Sequence, residues 1–193
     1  MTLINLALAS ILLNPALIQS QSPGGPETYT IDGSHSFVTF RVKHMNVSYA
    51  YGRFNDISGE FTFDSAKPEA GSVNVTIKAD SVDTNQPKRD QHLKSPDFFD
   101  AKQFPKITFK STSIRKSSEN EYELTGDLTL HGVTKSITTR LERVGTGKDP
   151  RGGTMTGFEA VFSVNRSDYG INFMPGGLGE EVRIMVAIEG GRK

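Results

Sequence analysis

The strongest constraint on the fold of this chain is an alternation of apolar and polar residues that repeats every two positions. In "SFVTFRVKH" the apolar residues Val38, Phe40 and Val42 alternate with Thr39 and Arg41. A β-strand turns successive side chains to opposite faces, so the pattern predicts a strand with one apolar and one solvated face. The same alternation recurs in "SVNVTIKA", "KITFKSTSI", "YELTGDLTL", "GFEAVFSV" and "EEVRIMVAIEG". The chain from residue 29 onward is therefore predicted to be a succession of strands.

Turn-rich segments such as "SAKPEAG", "KSSENE", "LHGVTK" and "GTGKDPRGG" separate these strands. About eight strands result, joined mostly by short hairpin connections. A flat sheet of that size would need a cover for its apolar face, and the sequence offers no long amphipathic helix to supply one. Closing the sheet on itself removes this need together with the exposed edges. We predict an all-β fold, an extended antiparallel eight-stranded lipocalin-like barrel with a short helical insertion near residues 85–100.

The interior of such a barrel can be either solid or hollow. Eight strands enclose a space that either packs solid with side chains or holds one slender ligand. Many inward positions carry small or medium residues, with phenylalanine, leucine and isoleucine between them and no tryptophan. The pattern leaves both alternatives open. If the barrel is hollow, its apolar wall is predicted to include Val38, Phe40, Val42, Val75, Ile77, Phe109, Leu128, Phe162 and Ile184.

The stretch "RDQHLKSPDFFDAKQFP" interrupts the alternation. Asn85 or Gln86 is placed to cap a short helix that has Pro87 in its first turn. Pro96 disfavours helical geometry at the residue before it, so this helix is expected to end near Ser95. The apolar residues of the stretch need a surface to cover, and the barrel rim is the nearest one. They are predicted to form a plug made of Leu93, Phe98, Phe99 and Phe104.

The polar residues of the same stretch admit a second interpretation. Arg89, Asp90 and His92 lie within four positions of one another. As an acid–base pair, Asp90 and His92 would make the stretch catalytic; as hydrogen-bonding groups, the three would fasten the insertion to the barrel. No nucleophile elbow, phosphate-binding glycine loop or dinucleotide fingerprint accompanies them. We therefore predict no catalytic residues and no enzymatic activity.

Two residues of the first long strand are candidates for contact with a ligand head group at the barrel rim. His44 continues the apolar face of Val38, Phe40 and Val42 at the strand end, where a cavity would open. Arg41 supplies a cation on the same strand. The alternative for His44 is a bond to a neighbouring backbone carbonyl.

The four histidines do not form a recognisable metal-binding pattern. His35 and His44 are separated by an odd number of positions, which directs them to opposite faces of a strand. His92 has no second histidine at a ligand spacing. His131 precedes Gly132 in a predicted hairpin turn and is expected to be solvated. No metal and no cofactor are predicted.

The N-terminal sequence predicts an exported protein. Residues 3–18 form an uncharged apolar run that Asn14 and Pro15 interrupt. This run is shorter than a transmembrane helix requires. A secretory signal peptide over residues 1–22 fits better, with a linker over 23–28 and the barrel over 29–190. We predict a periplasmic or secreted protein that does not span a membrane.

The overall charge of the chain is balanced, with 22 acidic and 22 basic residues, so no nucleic-acid partner is predicted. The chain contains no cysteine.

Several motifs together resemble one known family. "SFVTFRVKH" followed by "GRFNDISGEFTFD", the insertion "RDQHLKSPDFFDAKQFP", "LTGDLTLHGVTKSI" and "RSDYGIN" occur in the order found in the YceI-like, or polyisoprenoid-binding, family. The similarity runs from about Tyr29 to Ile188. It implies a lipocalin-like barrel that binds a long isoprenoid chain, as a polyprenyl phosphate or an isoprenoid quinone, or a similar amphiphile. It also implies a carrier, storage or stress-related role, with export common among members.

Three functional hypotheses follow. The first is a barrel that binds an isoprenoid or other long-chain lipid and needs no further cofactor. The second is an enzyme that acts on a lipid head group through Asp90 and His92. The third is a solid barrel that serves as an interaction module. The oligomeric state is left open, with a homodimer as one alternative.

Overall fold

The computed structural model describes residues 25–193, and the predicted signal peptide lies outside that range. Eleven strands and one α-helix follow one another along the described chain. Their bounds are β1 Glu27–Ile31, β2 Phe37–His44, β3 Ser48–Phe54, β4 Ile57–Phe63, β5 Ser72–Lys78, β6 Val82–Asp83, α1 Pro87–Leu93, β7 Lys106–Lys116, β8 Glu121–Leu130, β9 Val133–Lys148, β10 Thr154–Asn165 and β11 Leu178–Arg192.

The sheet closes into a ring of eight antiparallel strands. β1 pairs with β4 on one side and with β11 on the other, and the ring runs β1, β4, β5, β7, β8, β9, β10, β11. Closure leaves no open edge in the ring, so every strand there has two neighbours. The predicted antiparallel eight-stranded barrel with a short helical insertion is confirmed.

The barrel is extended at one end by three further strand segments. β2 pairs with β11 beyond the part of β11 that β1 occupies, β3 pairs with β2, and β6 pairs with β3. β6 ends this extension, and α1 packs next to it. The insertion between residues 84 and 105 therefore lies where the extended wall has no further strand.

The opposite end of the barrel is solid because aromatic side chains fill it. Phe61 and Phe158 have ring centroids 5.5 Å apart, Phe63 lies 5.0 Å from Phe158, and Tyr122 lies 5.5 Å from Phe63. Tyr29 stacks on Phe61 at 5.0 Å. All five side chains are buried. Edge-to-face packing of rings at these distances stabilises the core beyond the burial of apolar area alone.

Gly126 in β8 lies beneath an aromatic ring of the neighbouring strand. A Cβ at this position would lie 2.4 Å from Cζ of Phe109 and 2.6 Å from the backbone oxygen of Lys110. The backbone oxygen cannot move without disturbing the β7–β8 pairing. We expect Gly126→Ala to reduce the free energy of unfolding by about 2 kcal/mol or more, measured by urea denaturation. Gly145→Ala is the matched control, because a Cβ at Gly145 meets nothing within 4 Å; an equal loss in both variants would contradict the explanation.

Tyr29 gives the barrel a dependence on alkaline pH. Burial, followed by the hydrogen bond that its hydroxyl donates to Glu27 at 2.6 Å, raises the pKa of Tyr29 to about 12. The folded protein therefore holds this proton at a pH where the unfolded chain releases it. We expect the free energy of unfolding to fall as the pH rises from about 10 towards 12. Urea denaturation across this range should show a smaller fall for Tyr29→Phe; a remainder is expected because burial also raises the pKa of Tyr122 and Tyr169. An unchanged slope in Tyr29→Phe would contradict the assignment.

Candidate functional site

The barrel encloses a cavity of about 550 Å³ at the end that carries the β2–β3 extension. Its volume is in the range of pockets that hold small-molecule ligands. The floor is formed where Phe158 contacts Phe61 and Phe63 of the solid end. Both alternatives for the interior therefore occur in the same barrel, which is solid at one end and hollow at the other.

The cavity wall consists of the inward faces of the strands. Several inward apolar residues, among them Phe40, Phe109 and Ile184, are only partly buried although they point away from bulk solvent. Their remaining accessible area faces the cavity. All nine residues of the predicted wall line it: Val38, Phe40, Val42, Val75, Ile77, Phe109, Leu128, Phe162 and Ile184. Their contact with a ligand stays a prediction.

The mouth of the cavity is marked by lining residues that are also exposed to solvent. They come from three segments: the β2–β3 hairpin, α1 and the loop between β10 and β11. These residues are His44, Ser48, Arg89, His92, Phe173 and Met174, and Tyr49 and Tyr51 border the opening from the outward face of β3, where they pair with Lys43 and Arg41. The polar side chains of the site are thus concentrated where the cavity meets water.

The two predicted rim residues have different positions. His44 lies at the mouth, exposed, at the end of β2. Arg41 lies outside the cavity, and its guanidinium carbon is 4.4 Å from the centroid of the Tyr49 ring. Arg41 lies outside because side chains alternate along a strand. Phe40 and Val42 face inward, so Arg41 between them must face outward. Arg41 therefore does not line the cavity, and its contact with a head group at the rim stays a prediction.

The helix α1 begins as the sequence predicted, with Gln86 at the cap position. The Gln86 side-chain oxygen accepts hydrogen bonds from the backbone N–H groups of Lys88 at 2.7 Å and Arg89 at 3.3 Å. Pro87 occupies the first turn, where its missing N–H removes no helical bond. The helix ends at Leu93, close to the predicted end near Ser95, and the following segment forms turns in which the Phe98 N–H donates to the Ser95 carbonyl at 3.0 Å.

Three of the four predicted plug residues line the cavity. Leu93, Phe98 and Phe99 contribute to the wall, and the Phe99 ring lies 5.3 Å from Phe54 and 6.4 Å from Phe40. Phe104 differs from the prediction. Its ring packs against His131 of the β8–β9 turn, with centroids 4.9 Å apart, outside the cavity.

The three polar residues of the insertion, Arg89, Asp90 and His92, make two separate sets of hydrogen bonds. The Asp90 carboxylate accepts hydrogen bonds from the backbone N–H of Thr84 at 2.8 Å and from its hydroxyl at 2.5 Å. Arg89 donates to the Thr84 hydroxyl at 2.8 Å and to its carbonyl at 2.7 Å. His92 is bonded instead to Asp97 at 2.9 Å. Asp90 and Arg89 thus fix the start of α1 to the residue after β6.

His131 is more buried than the sequence suggested. His131 and Gly132 both have positive φ, at 52° and 73°, in the two-residue β8–β9 turn. The predicted turn is present, but the imidazole is half-buried, packed on Phe104, with Nδ1 2.9 Å from the Tyr169 carbonyl oxygen. The correction arises because the Tyr169 loop covers this turn, a contact that lies far away in sequence.

Arg166 organises the loop between β10 and β11, and sequence reasoning did not identify it. It is only 4% exposed and donates five hydrogen bonds. Four go to the backbone carbonyl oxygens of Ile171, Phe173, Leu178 and Gly179, and the fifth goes to the Glu180 carboxylate at 3.2 Å. The guanidinium thereby holds the loop that carries Phe173 and Met174 to the mouth.

Asp32, His35 and Glu189 lie together outside the cavity. One ligand atom from each falls within 4.8 Å of the others. His35 Nδ1 is 2.9 Å from an Asp32 oxygen, and this hydrogen bond raises the pKa of His35 and lowers that of Asp32. Glu189 belongs to β11, and the pairing of β1 with β11 that closes the barrel brings it next to Asp32. No local sequence pattern reveals this proximity. The three groups behave as an exposed ion pair with a second carboxylate nearby.

Among the described residues, no helix has both the length and the apolar character that crossing a bilayer requires.

Comparison with known proteins agrees with this architecture. The sequence profile of the YceI-like domain matches residues 29–190. Protein YceI of Escherichia coli O157:H7 is 46% identical over 164 residues, which cover 84% of this chain and 85% of the relative. The crystal structure of BcnA from Burkholderia cenocepacia superposes with a TM-score of 0.75 at 28% identity, covering 82% of this chain and 98% of the other.

A more distant structure shares the fold. A polyisoprenoid-binding domain from Saccharophagus degradans, implicated in plant cell wall breakdown, has a TM-score of 0.65 at 17% identity and covers 86% of this chain and 98% of its own. The profile match and the similarity to the Escherichia coli protein together establish the family. The chain belongs to the YceI-like family.

Proposed function

We propose that the chain binds a long-chain isoprenoid lipid, as a polyprenyl phosphate or an isoprenoid quinone, or a similar amphiphile, with its tail inside the barrel. The observation that carries the proposal is the cavity of about 550 Å³, whose wall is almost entirely apolar and whose exposed polar residues are at the mouth. An amphiphile matches this arrangement, with its tail in the cavity and its head group in water.

The energetics favour recognition through the tail. Burying a five-carbon isoprene unit contributes on the order of 4 kcal/mol, at about 0.8 kcal/mol per carbon. Ordering of the flexible chain offsets part of this gain. A tail of a few units therefore supplies sufficient affinity without a strong head-group site. The same physics permits ligands with different head groups.

The mouth offers weak contacts to a head group. His44 and His92 are exposed there, and Arg89 lies beside them. Two of the Arg89 nitrogen atoms already donate to Thr84, which leaves part of its guanidinium for an anionic or carbonyl oxygen. A phosphate or a quinone oxygen fits this place. Because no cluster of buried donors converges on the mouth within residues 25–193, the head group is expected to remain hydrated.

The proposal is a binding role rather than turnover. Asp90 is bonded to Thr84 and His92 to Asp97, so the two residues do not form the acid–base pair of the alternative hypothesis. The structure from Saccharophagus degradans that shares the fold is described as a polyisoprenoid-binding domain, in line with this role. We further propose that the protein acts as a carrier or store for the lipid after export to the periplasm or the exterior, as its N-terminal sequence indicates.

Native mass spectrometry of the protein purified from its source cells tests the proposal. We expect a mass increment that lipid extraction and fragmentation identify as an isoprenoid or another long-chain amphiphile. Protein stripped of lipid should take up a polyprenyl phosphate or a ubiquinone from detergent solution. Recovery of apoprotein alone, followed by no uptake of either probe, would contradict the proposed function.

A further inference from the structure

The cavity mouth is flanked by an exposed apolar tip. The tip consists of Met45 and Val47 in the β2–β3 turn and Phe173 and Met174 in the β10–β11 loop. Their exposed fractions are 53%, 85%, 38% and 36%. The two segments form one surface, because the Met45 N–H donates to the Gly177 carbonyl at 2.7 Å.

The tip is continuous with the mouth. His44 and Ser48, which lie immediately before and after the turn, both line the cavity, as do Phe173 and Met174. Isolated apolar residues on a protein surface need no explanation, but a contiguous group beside the entrance of an apolar cavity marks an interaction site. Anything that covers the tip therefore also covers the route into the cavity.

A strip of cations adjoins the tip on the outer face of the barrel. Arg41 and Lys43 of β2 point outward, and Arg183 of β11 is the direct register partner of Arg41. Within residues 25–193, none of the three has a carboxylate oxygen within 4.0 Å. Glu181 on the same face of β11 offsets one of these charges. Like charges directly opposite each other on paired strands destabilise the sheet, so this strip costs stability in the isolated protein.

Tyrosines extend the same face. Tyr49 and Tyr51 of β3 lie beside the cationic strip, 47% and 61% exposed, and Arg41 packs over the Tyr49 ring. Tyrosine rings are enriched where a membrane meets water, because the ring is apolar and the hydroxyl is polar. Beyond the apolar tip, aromatic and basic side chains therefore lie side by side, with Tyr49 opposite Lys43 and Tyr51 opposite Arg41. An apolar end followed by a mixed aromatic and basic zone matches acyl chains followed by an interface with anionic head groups.

We propose that the tip and the cationic strip dock this protein on the surface of an anionic phospholipid bilayer, with the mouth facing the membrane. The purpose of this docking, transfer of a lipid between bilayer and barrel, rests on the proposed function. A second copy of the chain fits the surface less well. In a symmetric dimer the same patch would face itself, so that the basic strip of Arg41, Lys43 and Arg183 in one copy would be brought against the same basic patch of the other.

Flotation with vesicles tests the docking surface. Two vesicle types are used, pure phosphatidylcholine and a 3:1 mixture of phosphatidylcholine with phosphatidylglycerol, at low and high salt. We expect the full-length mature protein to float with the anionic vesicles at low salt and to bind far less to the neutral ones. Val47→Asp should weaken partitioning about tenfold or more, and Lys43→Glu about fivefold. Neither residue lines the cavity.

Two control variants are matched to these changes. Val144, 70% exposed on β9, and Lys116, exposed at the end of β7, lie towards the end of the barrel remote from the mouth. Val144→Asp and Lys116→Glu should bind vesicles as the unaltered protein does. The proposal is overturned if the unaltered protein stays in solution with both vesicle types, or if all four variants bind equally. It is also overturned if sedimentation shows a dimer that Val47→Asp dissociates, since the tip would then be a subunit interface.

The same preparations separate this inference from the proposed function. Native mass spectrometry of each variant reports lipid retained in the cavity, independently of vesicle binding. Val47→Asp that retains its lipid but loses vesicle binding supports the docking surface. Lipid-loaded protein that binds no vesicles overturns the docking surface and leaves the binding role intact. Vesicle binding by a protein that never holds lipid contradicts the proposed function alone.

Discussion

Replacing Val164 by tryptophan is expected to empty the barrel of lipid without unfolding it. Val164 is an inward residue of β10 that lines the cavity and is only partly buried. The indole would project into space that the proposed ligand occupies and would displace about one isoprene unit, on the order of 4 kcal/mol. We expect the affinity for a polyprenyl probe to fall at least about a hundredfold. Fluorescence titration measures the affinity, and native mass spectrometry should show loss of the co-purified lipid.

Val161→Trp is the matched control. Val161 lies on the same strand, and its register partner is Met185 on the outer face of β11. The same added volume there projects away from the cavity, so the affinity should remain within about twofold of the unaltered protein. Thermal denaturation of both variants separates blockage from misfolding. If Val164→Trp proves unstable, Val182→Trp on β11 offers a second inward position. Unchanged affinity in a folded inward variant would show that the cavity is not the binding site.

Replacing Arg166 by methionine is expected to destabilise the protein and to loosen the mouth. Methionine keeps much of the side-chain length but donates none of the five hydrogen bonds that Arg166 makes. Buried carbonyl groups of the loop would lose their partner, at a cost of about 3 kcal/mol in the free energy of unfolding. For a chain of this size the Tm should fall by roughly 10 °C. Hydrogen exchange should show reduced protection of the amides in residues 170–178.

Two comparisons distinguish a specific role of Arg166 from a general effect of losing an arginine. Arg140 is exposed and forms ion pairs with Glu121 and Glu142, so Arg140→Met should cost less than about 1 kcal/mol. Arg166→Lys should not restore the stability, because an ammonium group cannot reach carbonyls that the planar guanidinium contacts in several directions. A Tm for Arg166→Met close to that of Arg140→Met would contradict the assignment.

Local patterns in the sequence predicted the strands and their faces, because the direction of a strand side chain depends only on its position in the alternation. The inward faces of β2, β5, β7, β8, β10 and β11 are therefore the ones that the pattern indicated. The same rule gives the orientation of Arg41, one of the two predicted rim residues. Arg41 lies between two inward residues and so must point outward.

Contacts between distant segments could not be predicted in the same way. The bond from His131 to the Tyr169 carbonyl and the packing of Phe104 on His131 depend on how the β10–β11 loop folds over the β8–β9 turn. Arg166 gave no signal, since an arginine after a strand is ordinarily exposed, and its acceptors are backbone carbonyls that any sequence supplies. The tip formed by Met45 and Met174 likewise exists only because two separate connections meet at the mouth.

The sequence by itself determined that this chain forms an antiparallel barrel with an apolar interior, since alternation, turn residues and the absence of a covering helix are all local properties of the chain. Only the tertiary structure decided that the interior is solid where Phe61, Phe63 and Phe158 meet and hollow near the β2–β3 hairpin. The physical reason is that the volume left empty depends on how side chains from strands on opposite sides of the barrel fill the interior together. The sequence of a single strand does not specify this.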